Sequence, residues 1–596
     1  MNVEMRSYNP ARTGSNLSET ALTPRTVGSN IVVKRFSLHF ADDPALKDDP
    51  RLEAQPLYVS GLTMSDGKVH DVVYVCTMAN NVWAFDAKDG KPIWARPTNL
   101  GTPITPKSTP HPGFPTATEI DLWGVNQRWG ILSTPVLDTN TNKMYAVCWT
   151  STDGSVGKAA YELHEVDLVT GNALRKIQIA ATAPQQQVKG KPLATFIASK
   201  QKQRASLLLA AVGVPAKPTV FIGFGMTHEE GDPTHGWLLA YDVATLQQTD
   251  AWCTTPGGSG SGIWQAGQGP ALDDNGDIYL MTGNYGVEDA TGSTLPPTPA
   301  DLPESLVKLH YTPPAGGAAG KLEPIAWFTP FIDSVRNPKG VDDFQDYDLG
   351  SAGPVFLTGL NLVIGAGKDG VLFVLPQDTT AFGKGSDYGR LKQPPIFFTY
   401  FPGFGVDASV IANLDQLFDG KTHHQHCSPA FWDGSSGPAL FTWGENECLR
   451  AWKIDATGVV TFVGKSAEVA SAGAAGKGGM PGGILTVSSN GKTPNTGIVW
   501  ATVPLLNDAN KFVVEGILRA YDASNLDPVM NADGTARLKL LWDSKHIPGN
   551  VFNFSKFCPP FVADGQVFVP TYDGRVDVYG LVVPPQPGPL STNANM

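Results

Sequence analysis

Along nearly the whole chain, apolar runs of four to eight residues alternate with clusters of Gly, Pro, Asn and Asp. That pattern predicts short buried strands separated by turns. The stretch "DDNGDIYLMTGN" (273–284) is typical. Asn275-Gly276 predicts a two-residue hairpin turn, because both residues tolerate positive φ. Ile278-Tyr279-Leu280-Met281 predicts a buried strand, and Thr-Gly-Asn ends it.

The pattern repeats. "VVYVCTMANNVWAFDAKDGKPIW" (72–94) reads as strand, turn, strand, turn and a closing Trp. Related units follow at 144–174, 219–246, 277–311, 362–378, 439–458, 497–526 and 566–581. Several are preceded by a further strand, as in "STPVLD", "GPALDD", "GPVFLT", "SPAFWD" and "PPFVAD". Internal repetition at such a period is the signature of a repeat architecture. The units number eight, each of about four strands and roughly 66 residues, longer than a minimal propeller blade. The surplus falls in Pro/Gly/Thr-rich connections such as 98–120, 287–303 and 312–325. One four-stranded sheet cannot bury both faces alone, and radial stacking of several does so with only short edges.

The expected fold is therefore an all-β, eight-bladed β-propeller. Its last unit is one strand short, and the alternating "NIVVKRFSLHF" (30–40) is the expected ring-closing strand. The boundaries expected are an N-terminal segment at 1–55, the propeller at 56–582 and a Pro-rich tail at 583–596. Helical patterns are expected only at 193–211 and 407–418, as insertions between strands.

Composition narrows the function. Gly and Pro make up about a fifth of the chain and are dispersed, which fits turns and not disorder. Net charge is −12. A nucleic-acid partner would call for a basic stripe. The nearest candidate, "KQKQR" (200–204), reads as a solvated helix end. No run is long enough to span a membrane. The start, "MNVEMRSYNPARTG", has no apolar leader core. The chain is then cytoplasmic or a processed form, and the expectation taken here is a mature extracellular or periplasmic protein. Six scattered cysteines include no CxxC, so neither a zinc ribbon nor a haem attachment is expected, and their pairing is not readable from spacing.

The repeats resemble the tryptophan-docking motif of the quinoprotein alcohol dehydrogenases, A-x-D-x-x-T-G-x-x-x-W. "AFDAKDGKPIW" (84–94) fits with Asp89 in place of Thr, and "EVDLVTGNALR" (165–175) keeps Asp167, Thr170 and Gly171 without the Trp. The motif is also carried by propellers that bind no quinone, including outer-membrane assembly scaffolds. The resemblance extends to the site. In that family a Trp floors the pyrroloquinoline quinone, a Glu and an Asn hold Ca²⁺, an Asp is the base and a Lys or Arg holds the quinone oxygens. By resemblance, Trp264 in "GSGIWQAGQGPALD" is the floor, and Asn284 in "IYLMTGN" is a calcium ligand with Glu229 or Glu230 in "HEEGDPTHGWLLAYD". "FQDYDLGSAGP" has Gln345 where the family has Trp. It offers Asp346 as the base and Asp348 as its neighbouring alternative. "AGKDGVLFVL" offers Lys368, and "VNQRWG" offers Arg128. The family's adjacent Cys-Cys pair has no counterpart.

These residue types suit the implied chemistry. Calcium takes several hard oxygens at flexible geometry. A carboxylate can accept the substrate hydroxyl proton as hydride leaves, and an ammonium stabilises charge that develops on the quinone. Each residue also has a plain structural role open to it: Thr-Gly-Asn as a turn, Lys368-Asp369-Gly370 as a hairpin, Trp264 as packing between sheets.

A separate cluster, "THHQHCSPAF" (422–431), places His423, His424 and His426 beside Cys427. These types bind Zn or Cu. On an extended chain, neighbours point to opposite faces, so at most two could share a site without a tight turn. Three functions follow. The first is oxidation of an alcohol or sugar with pyrroloquinoline quinone and Ca²⁺, passing electrons to a separate acceptor. The second is a non-catalytic propeller that binds protein or glycan. The third is a propeller lyase or hydrolase using the loop at 423–427.

Overall fold

The computed structural model describes residues 1–40, 48–108, 117–227, 234–284, 298–330, 348–398, 423–471 and 479–582. They are almost entirely β. Among them, the only α-helices are the single turns Pro24–Val27 and Thr379–Phe382.

The sheets are antiparallel meanders in chain order, as the apolar runs predict. One is built from Ala271–Leu272, Ile278–Met281, Leu306–Thr312 and Lys321–Phe328. Similar sheets occupy 57–99, 136–178, 201–253 and 355–397. Two more meanders, 430–469 and 484–543, merge into a nine-stranded sheet through the outer pair Lys465↔Arg537. The last sheet takes strands from both ends of the chain: Val32–His39 pairs antiparallel with Arg575–Leu581.

Consecutive sheets share one hydrophobic layer, which explains strands that are apolar on both faces. In Ile278–Met281, Ile278 and Leu280 pack with Phe221 and Leu238 of the preceding sheet. Tyr279 and Met281 pack with Phe356 and Val363 of the next. Phe568 and Val578 of the last sheet join Val73 and Phe85 of the first, so the layers run in a closed circuit. The Trp motif works between sheets. Trp94 lies against Gly171, whose φ is +77°, and its indole Nε1 donates to the Val169 carbonyl at 3.3 Å.

The N-terminal segment is the hub. Its carbonyls at Glu4, Pro10, Ala11, Thr13 and Gly14 accept from Leu137, Leu272, Phe356, Phe431 and Val487, each in the first strand of a different meander. Val3 pairs with Tyr58, and Tyr8 Oη accepts from the Val562 N–H. Arg12, fully buried, donates to the carbonyls of Pro270, Arg6 and Leu207 at 2.8–3.0 Å. Burial lowers its pKa to about 9.

Two local expectations are corrected. At 273–277 only Gly276 takes positive φ, at +83°. The Asp273 carboxylate accepts from the N–H groups of Asn275 and Asp277 and shapes a longer turn than Asn-Gly predicts. Residues 193–211 are not a helix. They contain the strands Gln201–Lys202 and Leu208–Val212, both paired with Lys217–Met226. Ladder pairing overrides the local helix preference of "LLLAA". The expected helix at 407–418 lies outside the described residues.

Candidate functional site

One cavity, of about 220 Å³, is walled by Trp264, Asp348, Lys368 and His426 together with Lys202, Arg204 and Phe557. Its size is below the roughly 300–1,000 Å³ usual for pockets that take organic ligands.

Trp264 forms one wall. Its indole lies flat on backbone: a Cβ at Gly225 would fall 2.8 Å from the ring and one at Gly262 2.7 Å from Nε1. Glycine at both positions therefore lets the ring seat. The turn that follows is forced into the left-handed region at Gln265 (φ 51°) and Ala266 (φ 43°). Arg6 Nη2 holds the Ala266 carbonyl at 3.2 Å. Such strain persists only where surrounding contacts over-determine it.

Asp348 comes from the segment after the described gap and is buried. Its Oδ1 accepts from the Asn284 N–H at 3.0 Å, and its Oδ2 accepts from Lys368 Nζ at 2.7 Å. The backbone repeats the link, since Lys368 N donates to the Asp348 carbonyl at 3.0 Å. Glycines make room for it. Gly283 abuts the Asp348 carboxylate, and a Cβ at Gly367 would lie 2.7 Å from the Asp348 carbonyl oxygen. Burial pushes the Asp348 carboxyl up, but the Lys368 ammonium and the Asn284 N–H outweigh it and hold the carboxyl below its usual range. The group is an ionised acceptor at neutral pH, able to take a proton from a ligand hydroxyl. Asn284 is itself buried, with its backbone carbonyl accepting from Ser261 N at 2.7 Å.

His426 borders the same cavity. Burial and the nearby Lys368 charge push its pKa down to about 3, so the ring is neutral. Its Nε2 lies 2.8 Å from Glu445 Oε1. His424 Nδ1 lies 3.6 Å from Glu445 Oε2, and His423 Nδ1 lies 3.1 Å from the Glu445 carbonyl. Cys427 points elsewhere, with Sγ 3.4 Å from the Pro481 carbonyl, and burial raises its thiol to about 12.

Other predicted residues lie apart. Arg128 donates to the Asp48 carbonyl at 3.0 Å and lies 3.9 Å from Asp49, away from the cavity lining. Glu229, Glu230 and Asp346 lie outside the described residues.

Two cations were hidden in "KQKQR", which is not a solvated helix end. Gln201 and Gln203 turn inward and donate to the Gly225, His235, Ala205 and Gly223 carbonyls. Lys202 and Arg204 alternate to the other side and reach the cavity. The period of two was the available signal. Lys202 sits 4.0 Å above the Trp129 ring. Arg204 lies over Phe557 at 4.9 Å and 3.4 Å from the buried Glu53. Burial, then the Arg204 charge, lowers the Lys202 pKa to about 7.

No protein-family model matches the chain, and no curated protein matches it. Solved structures do resemble it. A quinohaemoprotein alcohol dehydrogenase from Comamonas testosteroni is 14% identical, with a TM-score of 0.47 over 99% of this chain and 82% of that one. A europium-containing methanol dehydrogenase is 14% identical, with a TM-score of 0.44 over 95% and 81%. BamB from Moraxella catarrhalis is 10% identical, with a TM-score of 0.43 over 92% and 100%.

Proposed function

We propose that the protein is an oxidoreductase built on an eight-bladed ring, and that it oxidises a small alcohol or sugar with pyrroloquinoline quinone and Ca²⁺. One observation carries the reading. Trp264, Asp348 and Lys368 come from different stretches of the chain yet line one cavity, and the Asn284 N–H bonds to Asp348 behind that lining. The blade count is supported by the circuit of shared hydrophobic layers and by the meanders that meet the N-terminal segment.

The residues suit the group. An indole backed by two glycines is a platform for a planar ring, which would take up most of so small a cavity. Lys202, Arg204 and Lys368 face a single carboxylate in the lining, a balance that suits a ligand bearing carboxylates. Asn284 would hold the ion with an amide oxygen, and Glu229 or Glu230 would add the carboxylate. When bound, the quinone supplies a two-electron acceptor. Asp348 then takes the hydroxyl proton, Lys368 keeps it ionised until that moment, and Trp264 fixes the plane. A small-molecule substrate and a separate electron acceptor follow.

Titration of the protein with pyrroloquinoline quinone should give saturable, Ca²⁺-dependent quenching of tryptophan fluorescence. The Trp264→Ala variant should bind about 5- to 150-fold more weakly, because stacking on an aromatic ring contributes about 1–3 kcal/mol. No binding by the parent protein would overturn the reading.

The affinity should also depend on pH. Lys202 carries its charge below about pH 7 and loses it above. Attraction for an anionic ligand is then greatest on the acid side and weakens as pH rises through about 7. Comparison of titrations at pH 6 and pH 8 checks this, and Lys202→Met should flatten the difference.

A further inference from the structure

We propose that His424, His426 and Glu445 form a binding site for one divalent transition-metal ion of the Zn²⁺/Co²⁺ class, beside the cavity and separate from any calcium site. One donor atom from each residue lies within 4.8 Å of the others. Two imidazole nitrogens and a carboxylate oxygen are a donor set that Zn²⁺ and related ions take, with further positions left for water or a ligand. Calcium prefers oxygen donors, so the chemistry separates this site from the one built on Asn284.

The sequence places the donors. His424 and His426 are two residues apart, and their ring centroids lie 5.8 Å from each other. Glu445 arrives from the turn between the strands Gly437–Thr442 and Cys448–Ile454. The two pieces are locked together, because Glu445 N donates to the His424 carbonyl at 3.0 Å. Gly444 lies against the Gln425 side chain, where a Cβ would clash.

The segment is also pinned from the cavity side. Gln425 N donates to the Gly367 carbonyl at 3.0 Å, and Ser351 Oγ donates to the Gln425 carbonyl at 2.9 Å. Donors held this way need little rearrangement to receive an ion, which is the usual role of groups around a metal site. The ion would replace the 2.8 Å contact between His426 and Glu445, and a proton shared in that contact would be released. Two neutral imidazoles and one carboxylate leave a bound divalent ion with a net charge of +1. His426 lines the cavity, so the open coordination positions would be within reach of its contents.

The test uses the full-length, untagged protein, stripped with a chelator and titrated with Co²⁺ while visible absorption and bound metal are followed. One Co²⁺ per chain is expected, with visible d–d absorption, displaced by Zn²⁺ and retained in excess Ca²⁺. His424→Ala and Glu445→Gln should each bind at least tenfold more weakly with far-UV dichroism unchanged. His424 is 20% exposed and outside the cavity lining, and His424→Gln serves as the second variant if alanine disturbs folding. No stoichiometric binding would overturn the proposal. So would equal affinity in the folded variants, or an intense near-ultraviolet thiolate band that assigns the ion to a cysteine.

Discussion

The Asp348→Asn variant should lose on the order of 10²–10⁴-fold in quinone-dependent oxidation, the range that a positioned general base supplies. The side chain keeps its shape, so its carbonyl oxygen can still accept from the Asn284 N–H. What changes is the other end. An amide NH₂ would face the Lys368 ammonium, donor against donor, where a carboxylate now accepts at 2.7 Å. The variant therefore loses the acceptor for the substrate proton and the charge that orders Lys368. Steady-state rates with an artificial electron acceptor, beside quinone titration of the same preparation, separate the two losses. A fall in rate with quinone binding retained is the expected split. Full activity would remove Asp348 from the chemistry and turn attention to Asp346, two residues earlier.

Lys308→Met should cost about 3–5 kcal/mol of stability, the usual effect of leaving buried charge without its partner. Lys308 is 1% exposed. Its Nζ lies 3.1 Å from Asp277 and 3.6 Å from Asp273, and donates to the Gln377 carbonyl at 2.7 Å. Asp273 also accepts from Tyr279 Oη and Gln377 Nε2, both at 2.9 Å. Removing the ammonium leaves Asp273 without a cation and Asp277 with only the His310 imidazole, 2.8 Å away. The urea midpoint of unfolding should drop sharply. Adding Asp273→Asn and Asp277→Asn should recover part of the loss, because the excess negative charge is then gone. A single variant as stable as the parent would mean that water reaches those carboxylates.

Both variants sit where the sequence was readable to different degrees. The apolar strands were legible because each is short, bounded by turn residues and apolar on both faces, and the structure uses both faces against neighbouring sheets. The strand at 30–40 was legible from its alternation, and it pairs with Arg575–Leu581. Trp264, Asn284, Asp348 and Lys368 could be singled out because each stands in a local pattern that a family resemblance marks. Lys202 and Arg204 were overlooked because "LATFIASKQKQRASLLLAA" is rich in helix-forming residues, and their period-of-two alternation, which sends both to the cavity, is masked by that composition. The role of Arg6 and Arg12 was equally hidden. A solvated arginine and one that gathers backbone carbonyls from several sheets look alike in sequence. Glu445 was missed for a related reason: it lies in a turn of unremarkable composition, and only the approach of residues 423–426 gives it neighbours.

The N-terminal hub sets the order in which the molecule can be finished. Residues 3–16 leave the ribosome well before residue 562, yet Asn16 Nδ2 and Tyr8 Oη bond to the backbone of Val562. At about 5–20 residues per second, synthesis separates these partners by on the order of a minute. By residue 270 all three carbonyls bound by Arg12 have been made, whereas Arg6 still lacks the Phe557 carbonyl. Intermediate lengths of nascent chain would be open arcs around the N-terminal segment, with a sheet face exposed at each end. Closing the arc needs contacts between the most distant parts of the chain, the kind that make folding slow. Val32–His39 and Arg575–Leu581 must meet before that sheet is complete. Closure of the circuit therefore waits for the strand Arg575–Leu581.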